Sequence, residues 1–145
     1  MKFWDSSAVV PLLVHEKATP FFKSVYARDS LMTVWWGTKV ECASALARYE
    51  RDPRLSASQA IGDGFRRLED AAARWNEIAA SASLKQMALV LLRRHELRAA
   101  DALQLAAAAI AREEKGAAWE FVCADRQLLQ AAIKEGFNVL APERA

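Results

Sequence analysis

At 145 residues and 53% hydrophobic content, the chain is the size of one ordinary domain and can bury a core without disulfides or structural metal. Its uncharged runs, such as AVVPLLV and AAAAIA, fall well short of the roughly 20 apolar residues of a membrane span, and MKFWD places an acid where a signal peptide needs its apolar segment. Cys42 and Cys123 are far apart with no His or Cys at ligand spacing, which fits free thiols in a cytoplasmic setting, and a net charge of +2 does not by itself mark a nucleic-acid binder.

KFW opens the chain as a short strand, and Asp5 follows where a helix over residues 6–15 begins. A second helix, over 20–28, takes Thr19 as N-cap and Pro20 as its first residue. LMTVWW is β-branched and aromatic-rich and reads as the second strand, after which Thr38 opens a helix over 38–51 that stops at Asp52 and Pro53. From Ser56 to Ser81 the Leu, Ile, Phe and Trp residues recur at helical spacing. That predicts one long or broken helix with Gly62 and Gly64 as its soft point. Helices over 84–95, 99–115 and 125–135 complete the set; WEFVCA and FNVLAP are strands before and after the last of them, which Gly136 ends.

Strands separated by helices pair in parallel, and right-handed crossovers place the helices on both faces of the sheet. The expected architecture is a single α/β domain over 1–145, three layers deep (α/β/α), with a small parallel sheet of four or five strands.

Ligands of such sheets bind beyond the carboxyl ends of the strands, and four acids map to that edge. Asp5 ends the first strand, and Asp125 ends WEFVCA. Glu41 lies in the first turn of the helix after LMTVWW, and Asp101 in the first turn of AADALQLAAAAIA. Asp101 is the only charged residue between Ala99 and Ala111, and a carboxylate in so apolar a helix is costly unless something compensates it. Each acid alone reads equally as a helix cap or a favourable dipole contact. Four together would repel one another and raise their pKa values unless a cation neutralised them. Oxygen-only donors indicate a hard ion, Mg²⁺ or Mn²⁺.

FWDSSAVV, TKVECASALAR, LRAADALQLAAAA and FVCADRQLLQAAIKEGFNVLAP, in that order, resemble the PIN-domain ribonucleases and, within them, the toxins of the VapBC toxin–antitoxin type. The resemblance runs the length of the chain. It implies a PIN-like fold whose acidic cluster, here Asp5, Glu41, Asp101 and Asp125, binds divalent metal and cuts RNA. Asp5 and Asp101 are expected as direct ligands, with Glu41 and Asp125 acting through water. The family usually has Ser or Thr two residues before the last acid, where this chain has Cys123, a weaker hydrogen-bonding group. Ser7 either supports Asp5 or simply starts a helix. The resemblance also implies two partners, a second copy of the chain and a VapB-like antitoxin whose C-terminal segment covers the groove.

Arg98, one turn before Asp101, with Arg94 and Arg93 on the preceding helix, could track RNA phosphates; alternatively they are solvated or pair with acids. Trp36, next to Trp35, could stack on a base or pack, and Trp75 reads as core or as a covered surface. Other acid-bearing α/β classes fit less well. A haloacid-dehalogenase-like phosphatase would show DxD where this chain has DSS, and a receiver domain would pair adjacent acids at its first strand with a late Lys. The remaining competitor is a PIN-like module that binds RNA or protein without cutting it.

Overall fold

Five three-residue strands carry the sheet in the computed structural model, which describes residues 1–56, 61–116 and 118–143. They are β1 (Lys2–Trp4), β2 (Thr33–Trp35), β3 (Asn76–Ile78), β4 (Glu120–Val122) and β5 (Asn138–Leu140). All pairings are parallel, in the order β3-β2-β1-β4-β5. The chain builds outward from β1 in one direction and then returns to build from β1 in the other. The boundary between β1 and β4 is therefore where the winding reverses.

The pleat sends successive side chains to opposite faces, and both faces are covered, as a parallel sheet requires. Phe3, Trp35 and Phe121 enter a core built with α6 (Ala82–Arg94), α7 (Ala99–Lys115) and α8 (Arg126–Lys134). Trp4, Val34 and Val122 enter the other, built with α1 (Ser6–Leu13), α2 (Thr19–Arg28), α3 (Thr38–Arg51) and α5 (Ile61–Ala72). The result is the three-layer arrangement expected from the sequence. The Ala-rich stripe of α7, including Ala102 and Ala106 to Ala109, is buried. Its small side chains let the helix lie close to its neighbours, and Gly116, at φ 61°, ends it in the left-handed conformation that glycine adopts most readily. Among the described residues no helix is long and apolar enough to cross a membrane.

Four local expectations are corrected. The single helix over Ser56–Ser81 does not form: α4 (Pro53–Ser56) and α5 are separate elements, residues 57–60 lie outside the described residues, and Asn76–Ile78 is the edge strand β3. Ile78 lies three residues after Trp75, a helical spacing, so local pattern alone favours helix. Backbone pairing decides otherwise. Asn76 N–H donates to Met32 O at 2.9 Å, Trp36 N–H donates to Ile78 O at 3.0 Å, and Trp75 is buried in the second core. A polar, charged edge strand is also a common guard against unwanted strand pairing. Gly62 and Gly64 are not a soft point, since both lie within α5. A Cβ on Gly64 would stand 3.2 Å from both Leu46 and Val14, so this glycine lets α5 close on its neighbours.

Thr19 is the first residue of α2 rather than its N-cap, which is Ala18. The Thr19 hydroxyl accepts from Glu16 N–H at 2.8 Å and donates to Pro11 O at 2.7 Å, joining α1 to α2. α1 itself ends at Leu13, two residues earlier than its apolar pattern suggests.

Candidate active site

The four acids line one cleft of about 1120 Å³ at the carboxyl ends of β1 and β4, where the winding reverses. This is the place at which open parallel sheets bind ligands.

Asp5 leaves β1 with its N–H bonded to Val122 O at 3.0 Å, which ties it to β4. It then caps α1: one carboxylate oxygen accepts the Ser7 N–H at 3.1 Å and the Ser7 hydroxyl through a short contact. The Ser7 hydroxyl also accepts Ala124 N–H at 2.9 Å. Ser7 thus lies in the first turn of α1 and also braces Asp5 against the turn after β4. Asp5 is only 3% exposed. Burial is the main reason its pKa rises to about 7; the Ser7 bonds pull the other way, and the charges of Glu41 and Asp101 push further up.

Cys123 is buried beneath this pair, its Sγ 3.7 Å from an Asp5 oxygen and 3.6 Å from Ser7 Oγ. Its sulfur also accepts the Asp125 N–H at 3.3 Å. Burial holds the thiol well above its ordinary range, so it remains protonated. Asp125 is the N-cap of α8, accepting Leu128 N–H at 3.0 Å, and is exposed to the cleft.

Glu41 projects from the first turn of α3 and has a donor on each oxygen: Ser6 Oγ at 3.0 Å and Gln104 Nε2 at 3.1 Å. Burial raises its pKa, those two bonds oppose the rise, and Asp101 adds to it. Asp101, in the first turn of α7, is raised by burial and by Asp125, while the backbone N–H and the charge of Arg98 pull it down. Among the described residues none of the four carboxylates is in an ion pair. Nor are any three His, Cys, Asp or Glu side chains among them grouped so as to hold a metal ion as they stand.

The basic residues divide. Arg98 is the N-cap residue of α7 and lines the cleft. Arg94 does not; its guanidinium reaches Glu135 at 3.1 Å, and His95 Nε2 meets the same carboxylate at 2.6 Å, tying the end of α6 to the end of α8. Arg93 is exposed on α6 and likewise absent from the cleft lining. Trp36 is 58% exposed, lies edge-on to buried Trp35 and is not a lining residue.

Sequence reasoning missed Ser6, Thr38, Gln104, Arg48 and Tyr49. Gln104 had a signal, an amide three residues after Asp101 in an otherwise apolar stretch. So did Arg48, two turns beyond Glu41 on the same helix, where it lines the outer cleft beside Tyr49. Ser6 and Thr38 had none, because a hydroxyl at a helix start is ordinary.

The fold defines a class, the PIN-like three-layer α/β proteins. No family model and no curated protein matches the sequence. Solved structures with the same fold include Mycobacterium tuberculosis VapC20, described as a sarcin–ricin loop cleaving toxin, at TM-score 0.64 and 19% identity over 98% of this chain and 100% of that one. A protein from Pyrobaculum aerophilum is similar at TM-score 0.64 and 20% identity, covering 95% and 82% of the two chains. A chain of a toxin–antitoxin complex from Klebsiella pneumoniae is similar at TM-score 0.63 and 16% identity, covering 86% and 87%.

Proposed function

We propose that the cleft is the active site of a Mg²⁺- or Mn²⁺-dependent endoribonuclease, the toxin of a toxin–antitoxin pair. One observation carries the reading. Four carboxylates line one cleft without an ion pair among the described residues, and burial and mutual repulsion push three of them toward protonation. An array so costly without a cation suits one that binds a cation. The donors are all oxygen, which suits a hard ion. Mg²⁺ commonly keeps several waters and is held through one or two carboxylates, so an array with no ready-made cage of three ligands is compatible with it. The two similar structures described as an RNA-loop-cleaving toxin and a toxin–antitoxin complex support RNA as substrate and an antitoxin as partner. A homodimer and the VapB-like antitoxin complete the proposal.

Asp5 and Asp101 would hold the ion directly, with Glu41 and Asp125 holding its waters. When bound, the ion supplies Lewis-acid stabilisation of the phosphodiester and lowers the pKa of a bound water. Glu41, held on both oxygens, orients the attacking water and accepts its hydrogen bond. The guanidinium of Arg98 positions a phosphate at the cleft, and Ser7 keeps the Asp5 carboxylate from rotating away.

Purified chain free of any antitoxin is expected to cut single-stranded or loop RNA in millimolar Mn²⁺ and to stop in EDTA. RNA bound but uncut under every metal condition would instead support a non-catalytic binding module. Arg98→Ala in a cleavage-dead background is expected to weaken binding to all RNAs alike and to reduce the slope of log affinity against log salt by about 1. Anisotropy across a salt series measures this. An unchanged slope with altered sedimentation would assign Arg98 to an interface between copies.

A further inference from the structure

Gln104 is fully buried in α7 beside Ala102, Leu105, Ala106 and Ala107. Both polar contacts of its Nε2 go to α3: 3.1 Å to Glu41 Oε2 and 3.0 Å to Thr38 Oγ1, which is itself fully buried. Its Oε1 is buried with no hydrogen-bond partner. An apolar side chain of similar volume would fill the space and avoid the stranded Oε1, but it would leave Glu41 Oε2 and the buried Thr38 hydroxyl without this donor. Turning the amide over would set Oε1 against a carboxylate oxygen of Glu41, so the donor orientation matches an ionised acid.

The terminal torsion of a free Glu is broad. Here Ser6 holds Oε1 and Gln104 holds Oε2, so the carboxylate plane is set by α1 and α7 together. Gln104 and Asp101 are three residues apart on one helix and therefore share a face. A single rigid element thus presents one acid of the cleft and clamps another that is 63 positions away in sequence.

We propose that Gln104 is a positioning residue of the active site, fixing the Glu41 carboxylate relative to Asp101 so that both face the same hydrated divalent ion. This rests on the metal-dependent reading of the cleft. Gln104→Leu and Gln104→Met keep the volume and remove the donor. Either is expected to stay folded, melting in EDTA modestly below the parental temperature because Thr38 and Glu41 lose a donor, and to bind Mn²⁺, followed by electron paramagnetic resonance of the free ion, about 10- to 100-fold more weakly. Cleavage of single-stranded RNA in Mn²⁺ is expected to lose kcat by a similar factor at unchanged KM. Parental Mn²⁺ affinity and kcat in either folded variant overturns the role and leaves Gln104 as packing. A parent chain that neither binds Mn²⁺ nor cuts RNA overturns the proposed function, and this role with it.

Discussion

Asp101→Asn is expected to lower the rate of metal-dependent RNA cleavage by a factor on the order of 10² to 10³ while leaving RNA bound. The substitution is nearly isosteric, and the amide oxygen can still accept the Arg98 backbone N–H that meets the carboxylate now. What disappears is the charge. Asp101 contributes to the upward pressure on the pKa of both Asp5 and Glu41, so its neutral replacement relieves repulsion and should not weaken the metal-free fold. The loss should therefore fall on metal binding and the chemistry it supports, not on the fold. Single-turnover cleavage of a labelled RNA across a Mn²⁺ titration, beside a thermal melt in EDTA, separates the two effects. Cleavage at the parental rate by the folded variant would remove Asp101 from the site.

Asp5→Asn is expected to stabilise the metal-free protein at neutral pH, although it abolishes cleavage. The sign follows from the direction of the shift. Folding raises the Asp5 pKa to about 7, so the folded state holds a proton that the unfolded chain releases near pH 4. Stability from this group is full below the unfolded value and is lost as pH rises from about 4 to about 7. Because Asp5 is almost wholly buried, the loss is sizeable, on the order of 4 kcal/mol by pH 7.5. Asn is as good an N-cap as Asp and does not titrate, so the variant should be flat across that window. Urea midpoints from pH 4 to 7.5 in EDTA make the comparison. Mn²⁺ competes with the proton, so the metal should restore stability to the parent most strongly at the upper end of the range and do little for the variant. A variant less stable than the parent at pH 7.5 in EDTA, with the same pH slope, would show that burial does not penalise this carboxylate.

Sequence by itself determined much of this protein. Apolar and β-branched runs bounded by charge marked β1, β2, β4 and β5, and helical spacing marked most of the helices, because those signals are local to each element. It also placed Asp5 and Asp125 just after β1 and β4, and Glu41 and Asp101 in the first turns of α3 and α7, since each of those positions is written in the residues beside it. Tertiary structure decided the rest. β3 exists because β2 offers it an edge, not because Asn76, Glu77 and Ile78 prefer to be extended. Arg94 turned from a candidate phosphate contact into a partner of Glu135, 41 positions away, because the fold brings the end of α6 to the end of α8. The clamp on Glu41 joins residues separated by 35 and 63 positions, and no periodicity reports which face of α7 meets which face of α3. Residue patterns encode the period of one element. The angle and depth at which two elements pack depend on every side chain in both cores at once, and that packing set the lining of the cleft.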